Sequence, residues 1–190
     1  MKAAHGAVIL AAGASRRLGF PKQLVEIDGE PLLRRAARAV LATQPLDGVV
    51  VLGHEAARCA AAVADLPLRR LLAPDWQRGM GPSLRSGVDA LDAACAGVLV
   101  VLCDQPALDA AHLQSLLSAW SAAPHRAAAS GYAGTVGVPA LLPRSWLQSA
   151  ALDGDRGARA LLQARAALVQ VVVNEALARD VDLPGDLRLP

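Results

Sequence analysis

Three short apolar runs restrict this chain more than any other feature: AVILAA at residues 7–12, VVVLG at 49–53 and VLVVLCD at 98–104. Each ends at or beside a glycine or an aspartate. None alternates apolar with polar, as a strand with one wet face would, so each predicts a parallel strand buried on both faces. The segments between carry the 3.6-residue period instead. Pro31 stands where a first-turn proline would start the helix 31–42, with Leu32, Leu33, Ala36 and Val40 as its apolar stripe. Residues 55–64 and 83–94 repeat the theme, the second through Leu84, Val88, Leu91 and Cys95. Asp109 is placed to cap a helix over 109–121 whose inner face is Leu113, Leu116, Leu117 and Trp120. Strand–helix alternation of this kind predicts an α/β fold: a doubly wound, mostly parallel, Rossmann-like sheet with ligands at the carboxyl ends of its strands.

After Pro124 the rhythm changes. Residues 127–132 and 138–142 read as strands separated by Gly131, Gly134 and Gly137. A helix is expected over 156–166, a strand over 168–173, and a proline-bounded tail beyond. A length of 190 residues suits one domain, here expected to span 1–190. Its core must be aliphatic, because the sequence holds one Phe and one Tyr. A net charge of +2 argues against a protein held to nucleic acid by counterion release, and favours a small anionic ligand. The first apolar run is far shorter than the roughly 20 residues of a membrane span. Cys59, Cys95 and Cys103 lack metal-finger spacing and read as buried, reduced thiols, so a cytoplasmic location is expected.

The chemistry concentrates in residues 7–22, where a strand runs into a small-residue loop carrying Arg16, Arg17 and Lys22. Backbone amides and cations converging behind a strand make a grip for phosphate. Gly13 and Gly19 stand in a G-x5-G spacing with Lys22 three residues on, which matches neither the Walker loop nor the dinucleotide G-x-G-x-x-G. Arg17 offers a planar fork and Lys22 a mobile point charge; the alternative for either is an ordinary solvated cation. Arg16 stays open between the two. Asp104 ends the most hydrophobic run, an expensive place for a carboxylate without a cation nearby, and is either a metal ligand or a strand-end turn former. Asp182 is a second candidate ligand or a plain loop acid. Ser83 either contacts a base or caps its helix, and Gly79 and Gly81 either admit a base or shape a turn. The histidines His5, His54, His112 and His125 have no partner at nucleophile spacing and read as packing or surface residues.

The segment Leu10-Ala11-Ala12-Gly13-Ala14-Ser15-Arg16-Arg17-Leu18-Gly19-Phe20-Pro21-Lys22 resembles the L-A-A-G-x-S-x-R-(M/L)-G-x-x-K signature of the MobA-like nucleotidyltransferases. The doubled alanine, and Lys22 without a preceding Asp, look more like the molybdenum cofactor cytidylyltransferase branch than the guanylyltransferase branch. Further segments continue the resemblance in order. Trp76-Gln77-Arg78-Gly79-Met80-Gly81-Pro82-Ser83-Leu84 is similar to the part that lies beside nucleobase and ribose, and Leu102-Cys103-Asp104-Gln105-Pro106 to the metal motif. Gly137-Val138-Pro139, Leu152-Asp153-Gly154-Asp155-Arg156-Gly157-Ala158-Arg159 and Asp180-Val181-Asp182-Leu183-Pro184-Gly185-Asp186-Leu187 follow. The chain departs from the pattern at Val138, where His or Asn is frequent, and at Leu183-Pro184-Gly185, where Thr-Pro-Glu is usual.

The resemblance implies nucleotide contacts from Leu10, Ala11, Ala12, Gly13, Arg17, Lys22, Gly79 and Ser83. It also implies catalysis by Arg17, Lys22 and Asp104, and a Mg²⁺ site on Asp104 and Asp182. The expected substrates are an NTP, CTP favoured, and a pterin phosphate acceptor bound by residues 125–165, with a molybdoenzyme or its chaperone as a further partner. Two alternatives accompany this expectation: the same chemistry on a sugar or polyol phosphate, and a nucleotide-binding chaperone that presents the pterin cofactor without turnover.

Overall fold

A computed structural model describes residues 4–155 and 157–187. Residues 1–3, Arg156 (the expected start of one helix) and the tail residues 188–190 lie outside the described residues. The three apolar runs form β1 (His5–Ala11), β4 (Asp47–Leu52) and β6 (Gly97–Leu102). They lie in a seven-stranded sheet of order β5-β4-β1-β6-β8-β7-β9, completed by β5 (Arg69–Leu72), β7 (Ala127–Tyr132), β8 (Thr135–Pro143) and β9 (Val169–Val173). Only β8 runs against the rest: β1 pairs in parallel with β4 and β6, β4 with β5, and β7 with β9. A short hairpin of β2 (Glu26–Ile27) and β3 (Glu30–Pro31) stands apart from this sheet.

Burial on both faces explains the unbroken apolar runs. Ile9, Val50 and Leu99 face one core cluster with Leu33, Val40, Leu113 and Trp120, the inner sides of α1 (Leu32–Leu41) and α4 (Ala110–Ala122). α2 (Ala56–Ala62) adds Cys59 to this layer. Val8, Val51 and Val100 face the opposite cluster with Leu84 and Val88 of α3 (Met80–Ala90), Leu147 of α5 (Arg144–Ser149) and Leu162 of α6 (Ala158–Ala164). Among the described residues no helix is long and apolar enough to cross a membrane.

The expected cap is present: the Asp109 carboxylate accepts from the His112 amide at 2.8 Å. α3 differs from expectation. It begins at Met80 rather than Ser83 and ends at Ala90, so Leu91 and Cys95 are buried beyond its end. The early start follows from Gly79, whose φ of +119° turns the chain into the helix. α5 and β5 carry no readable period. β5 is an edge strand of sequence RRLL with exposed Arg69, Arg70 and Leu72, so it shows no apolar run.

Gly87 lets α3 lie close on the sheet, since a Cβ there would stand 2.6 Å from Val8 Cγ1 and 2.8 Å from Val51 Cγ2. Both neighbours are rigid and buried. Gly87→Val should therefore lower stability by about 1–3 kcal/mol despite its better helix propensity, seen as a lower Tm or denaturation midpoint. An unchanged midpoint would mean that α3 can retreat freely. A second expectation concerns His112, buried with Nε2 2.7 Å from Ser130 Oγ, whose own proton goes to the Pro139 carbonyl. Nε2 is thus the donor, and burial holds this imidazole below its ordinary pKa, with Asp109 opposing. Below about pH 6.5 the unfolded chain takes up a proton that the folded chain resists, so stability falls as pH falls. In His112→Gln the loss of Tm between about pH 7 and pH 5 should flatten. An equally steep loss would assign it to other groups.

Candidate functional site

Leu10 stands beside Leu102 in the β1–β6 register, so the loop after β1 and the turn after β6 leave the sheet side by side. Here the strand order turns from one flank to the other, which leaves a crevice between the two departing chains. A cleft of 360 Å³ opens there, lined by Leu10, Ala11, Ala12, Gly13, Lys22, Gly79, Ser83 and Asp104 among others. All but two of the sequence-derived site residues thus share one cleft. Arg17 and Asp182 are outside its lining: Asp182 is joined to it through Lys22, and Arg17 through Asp182.

The loop is held in shape from beneath. Ser15 takes a left-handed φ of +49°, and its carbonyl accepts from both Leu18 and Gly19 at 3.1 Å. Gln23, 1% exposed, donates its amide to the carbonyls of Ala11 and Gly13 at 2.9 and 2.8 Å. The Lys22 amide donates to Ser15 Oγ at 3.1 Å, tying the end of the loop to its middle. Gly13 is different in kind. Its φ is not left-handed, and a Cβ built on it would meet nothing within 4 Å. The protein itself gives no reason for a glycine there, and close approach of a ligand does. Gly79, by contrast, is required internally, because a Cβ would stand 2.4 Å from the Gly154 carbonyl. It shapes the turn. Ser83 sits inside the first turn of α3 with its hydroxyl 3.5 Å from the Gly79 carbonyl, so it caps no amide and its side chain lines the cleft.

The charged groups assemble through the C-terminal segment. The Val181 amide donates to the Asp104 carbonyl at 2.8 Å, and the Val181 side chain packs with Leu18, Val25 and Leu32 beneath the loop. Asp180 and Asp182 flank this anchored residue. Asp186 fixes the turn beyond, accepting from the amides of Asp182 and Leu183 at 2.9 and 2.7 Å. As a result, ligand oxygens of Asp104, Asp180 and Asp182 lie within 4.8 Å of one another. Lys22 Nζ donates to Asp104 Oδ2 at 2.6 Å and to Asp182 Oδ1 at 2.9 Å, while Arg17 reaches Asp182 Oδ2 at 2.6 Å. Burial works against the Lys22 charge, but Asp104 and then Asp182 more than offset it, so the ammonium is held above its ordinary range. Burial and the neighbouring Asp182 and Asp104 raise the Asp180 carboxyl.

Asp104 Oδ1 is buried and has no partner among the described residues. An orphaned carboxylate oxygen beside two further carboxylates is a hard donor set of the kind Mg²⁺ or Mn²⁺ takes, so the residues fit a divalent ion. Cys103, next in the chain, is no nucleophile: burial pushes its thiol well above the ordinary range. Arg16 is exposed at the cleft wall and pairs with nothing among the described residues.

Three site residues escape the sequence reading: Asp180, Gln23 and Asp155. The D-x-D spacing of Asp180 and Asp182, with an apolar residue between, is a readable signal that an extended segment could aim both acids one way. Gln23 carries no such signal, because its partners are backbone carbonyls across a loop. Asp155 lines the cleft because Gly154 accepts from the Gly81 amide at 2.8 Å, which draws residues 150–155 onto the start of α3.

The family model described as the MobA-like NTP transferase domain matches residues 7–171. The nicotine blue oxidoreductase of Paenarthrobacter nicotinovorans is 34% identical over 189 residues, covering 92% of this chain and 90% of its own. The purine catabolism protein PucB of Bacillus subtilis is 30% identical over 192 residues, covering 94% and 92%. Among solved structures, Rv0371c of Mycobacterium tuberculosis superposes with a TM-score of 0.84 at 27% identity, over 97% of this chain and 96% of that one. A complex of the same protein with manganese has a TM-score of 0.81 at 25% identity and the same coverage. The chain belongs to the MobA-like NTP transferase domain family and is a nucleotidyltransferase of that family.

Gln23 gives the site its sharpest test. Gln23→Met, similar in volume but unable to brace the two carbonyls, should weaken nucleotide binding about tenfold, in line with one or two lost buried hydrogen bonds. Calorimetric titration with NTP reads this, and an unchanged affinity would show that the loop holds its shape without the brace.

Proposed function

We propose that this member of the family transfers CMP from CTP to the terminal phosphate of molybdopterin, free or metal-loaded, with release of pyrophosphate. The observation that carries the reading is the meeting of Lys22, Arg17 and three aspartates beside an open glycine loop. The triphosphate would lie over Gly13, taking amides from the loop and cations from Arg17 and Lys22. Asp104, Asp182 and Asp180 would hold the divalent ion, Mg²⁺ or Mn²⁺, which when bound neutralises phosphate charge. An oxygen of the acceptor phosphate forms the new bond to the α-phosphorus. The bond from that phosphorus to the bridging oxygen breaks, and the electron pair leaves with pyrophosphate. The acceptor arrives already anionic, so no general base is needed. The chain's part is alignment and charge neutralisation.

Residues 125–165 would hold the acceptor, with Asp155 and Gly154 already against the nucleotide side of the cleft. The whole chain, 1–190, would act as one nucleotidyltransferase domain in the cytoplasm, passing its product to a molybdoenzyme or its chaperone. The CTP and pterin assignments rest on the doubled alanine before Gly13 and on the ordered downstream segments. A second reading, an oxidation–reduction reaction, is favoured by one observation: a relative 34% identical over 92% of this chain bears the name of an oxidoreductase.

Pyrophosphate release measured with each of four NTPs against molybdopterin, with and without molybdate, tests the proposal. CTP should give the highest rate, and Asp104→Ala should lower it by at least about a hundredfold. A preference for GTP would overturn the base assignment, and an active Asp104→Ala enzyme the metal assignment. Oxidation of a reduced nicotinamide nucleotide without pyrophosphate would favour the second reading.

A further inference from the structure

We infer that Lys22 is a resident counter-ion that closes the aspartate cluster to free divalent cations, so that the metal enters only together with the nucleotide. This inference rests on the nucleotidyl-transfer reading of the cleft. Its basis is where the ammonium sits. Nζ donates to Asp104 Oδ2 at 2.6 Å and to Asp182 Oδ1 at 2.9 Å, so it already engages two of the three carboxylates whose oxygens lie within 4.8 Å of one another. Asp104 Oδ1 stays buried and unpartnered beside it, a ligand oxygen that the ammonium leaves unused. A divalent ion approaching these oxygens meets a fixed positive charge among them, at a distance where like charges repel strongly and burial limits the screening.

The backbone of Lys22 is fixed while its side chain is free to turn. The amide is tied to Ser15 Oγ, and the next residue, Gln23, is locked under the loop through Ala11 and Gly13. Only the flexible stem can move, and its reach includes both the aspartates and the loop that faces the cleft. A triphosphate on that loop offers the ammonium several anionic oxygens. Once drawn to them, Lys22 leaves Asp104 without a counter-charge and Asp182 with only the exposed Arg17, and leaves room for a divalent ion, to which the phosphates supply further oxygen ligands. Nucleotide and metal thereby favour one another's binding by the same factor, as linkage requires. Arg17 does not serve this purpose, because it is largely exposed and touches only the outer oxygen of Asp182.

The test is a Mn²⁺ titration of the full chain followed by electron paramagnetic resonance, without nucleotide and with CTP. Wild type should bind Mn²⁺ weakly alone and at least about tenfold more tightly with CTP. Lys22→Met should bind Mn²⁺ about tenfold more tightly than wild type when no nucleotide is present. That gain should vanish in Lys22→Met/Asp104→Asn. Lys22→Gln, which also removes the charge, should repeat the result and guards against misfolding of the first variant. Lys22 variants that bind free Mn²⁺ no more tightly than wild type overturn the inference and leave the transferase reading intact. Tighter free Mn²⁺ binding in the variants, with no response of wild type to CTP or any other NTP, supports the counter-ion role and overturns the transferase reading instead.

Discussion

The 2.6 Å pair between Lys22 and Asp104 is the interaction on which the arrangement of this molecule turns. Each partner is costly where it stands. Asp104 sits at the end of a strand buried on both faces, with its side chain about one-tenth exposed. Lys22 emerges from a loop whose underside is apolar. Either charge left alone there would carry a desolvation penalty of several kcal/mol. Together with Asp182 they form a charged patch that joins the loop after β1, the turn after β6 and the C-terminal segment, three pieces far apart in sequence. Such a pair adds little net stability. What it does is fix which groups meet, and it does so where a phosphate and a cation would later compete for the same two charges.

The sheet explains why these pieces meet. β1 and β6 are neighbours although more than ninety residues separate their starts, His5 and Gly97, and Leu10 aligns with Leu102. Their carboxyl ends therefore present Gly13 and Asp104 to one crevice. Beyond β6 the direction reverses once, in β8, and the β7–β8 pair carries the sheet away from the nucleotide side. Residues 150–155 return to α3 through the Gly81–Gly154 hydrogen bond. The parallel half thus holds the loop after β1, the turn after β6 and the start of α3, and Asp155 adds to the cleft lining from the segment that follows α5.

Much of this was legible in the sequence because burial on both faces leaves a strong mark. The runs at 7–12, 49–53 and 98–104 read as strands since every position had to be apolar, and α4 read well through its stripe and the Asp109 cap. β5 did not, because an edge strand with exposed arginines shows no run, and α5 is too short for a period to emerge. The start of α3 was misplaced for a backbone reason: Gly79 turns the chain at a positive φ that side-chain periodicity does not register. In the site, Lys22, Arg17, Asp104 and Asp182 were recognisable as charges in unusual places, and the fold brings all four together. Their mutual pairing was not readable, since it depends on the Val181–Asp104 backbone bond. Gln23 was invisible for the same reason, its partners being carbonyl groups that every residue possesses.

The glycines separate two kinds of necessity in a site of this type. Gly79 is needed by the protein itself: its φ is +119°, and a Cβ there would strike the Gly154 carbonyl at 2.4 Å. Its presence says that Gly154 must close on the start of α3, and nothing directly about a ligand. A Cβ built on Gly13 would meet nothing within 4 Å and its φ is not left-handed, so the folded chain alone would accept alanine there at no steric cost. Backbone entropy would even favour the change. A glycine kept against its own conformational cost, at the mouth of a loop shaped by Gln23 and facing Lys22, is explained by something that must come within van der Waals distance of the main chain. A triphosphate lying on the loop amides is such an object, and it is the one for which the neighbouring cations and carboxylates are also suited.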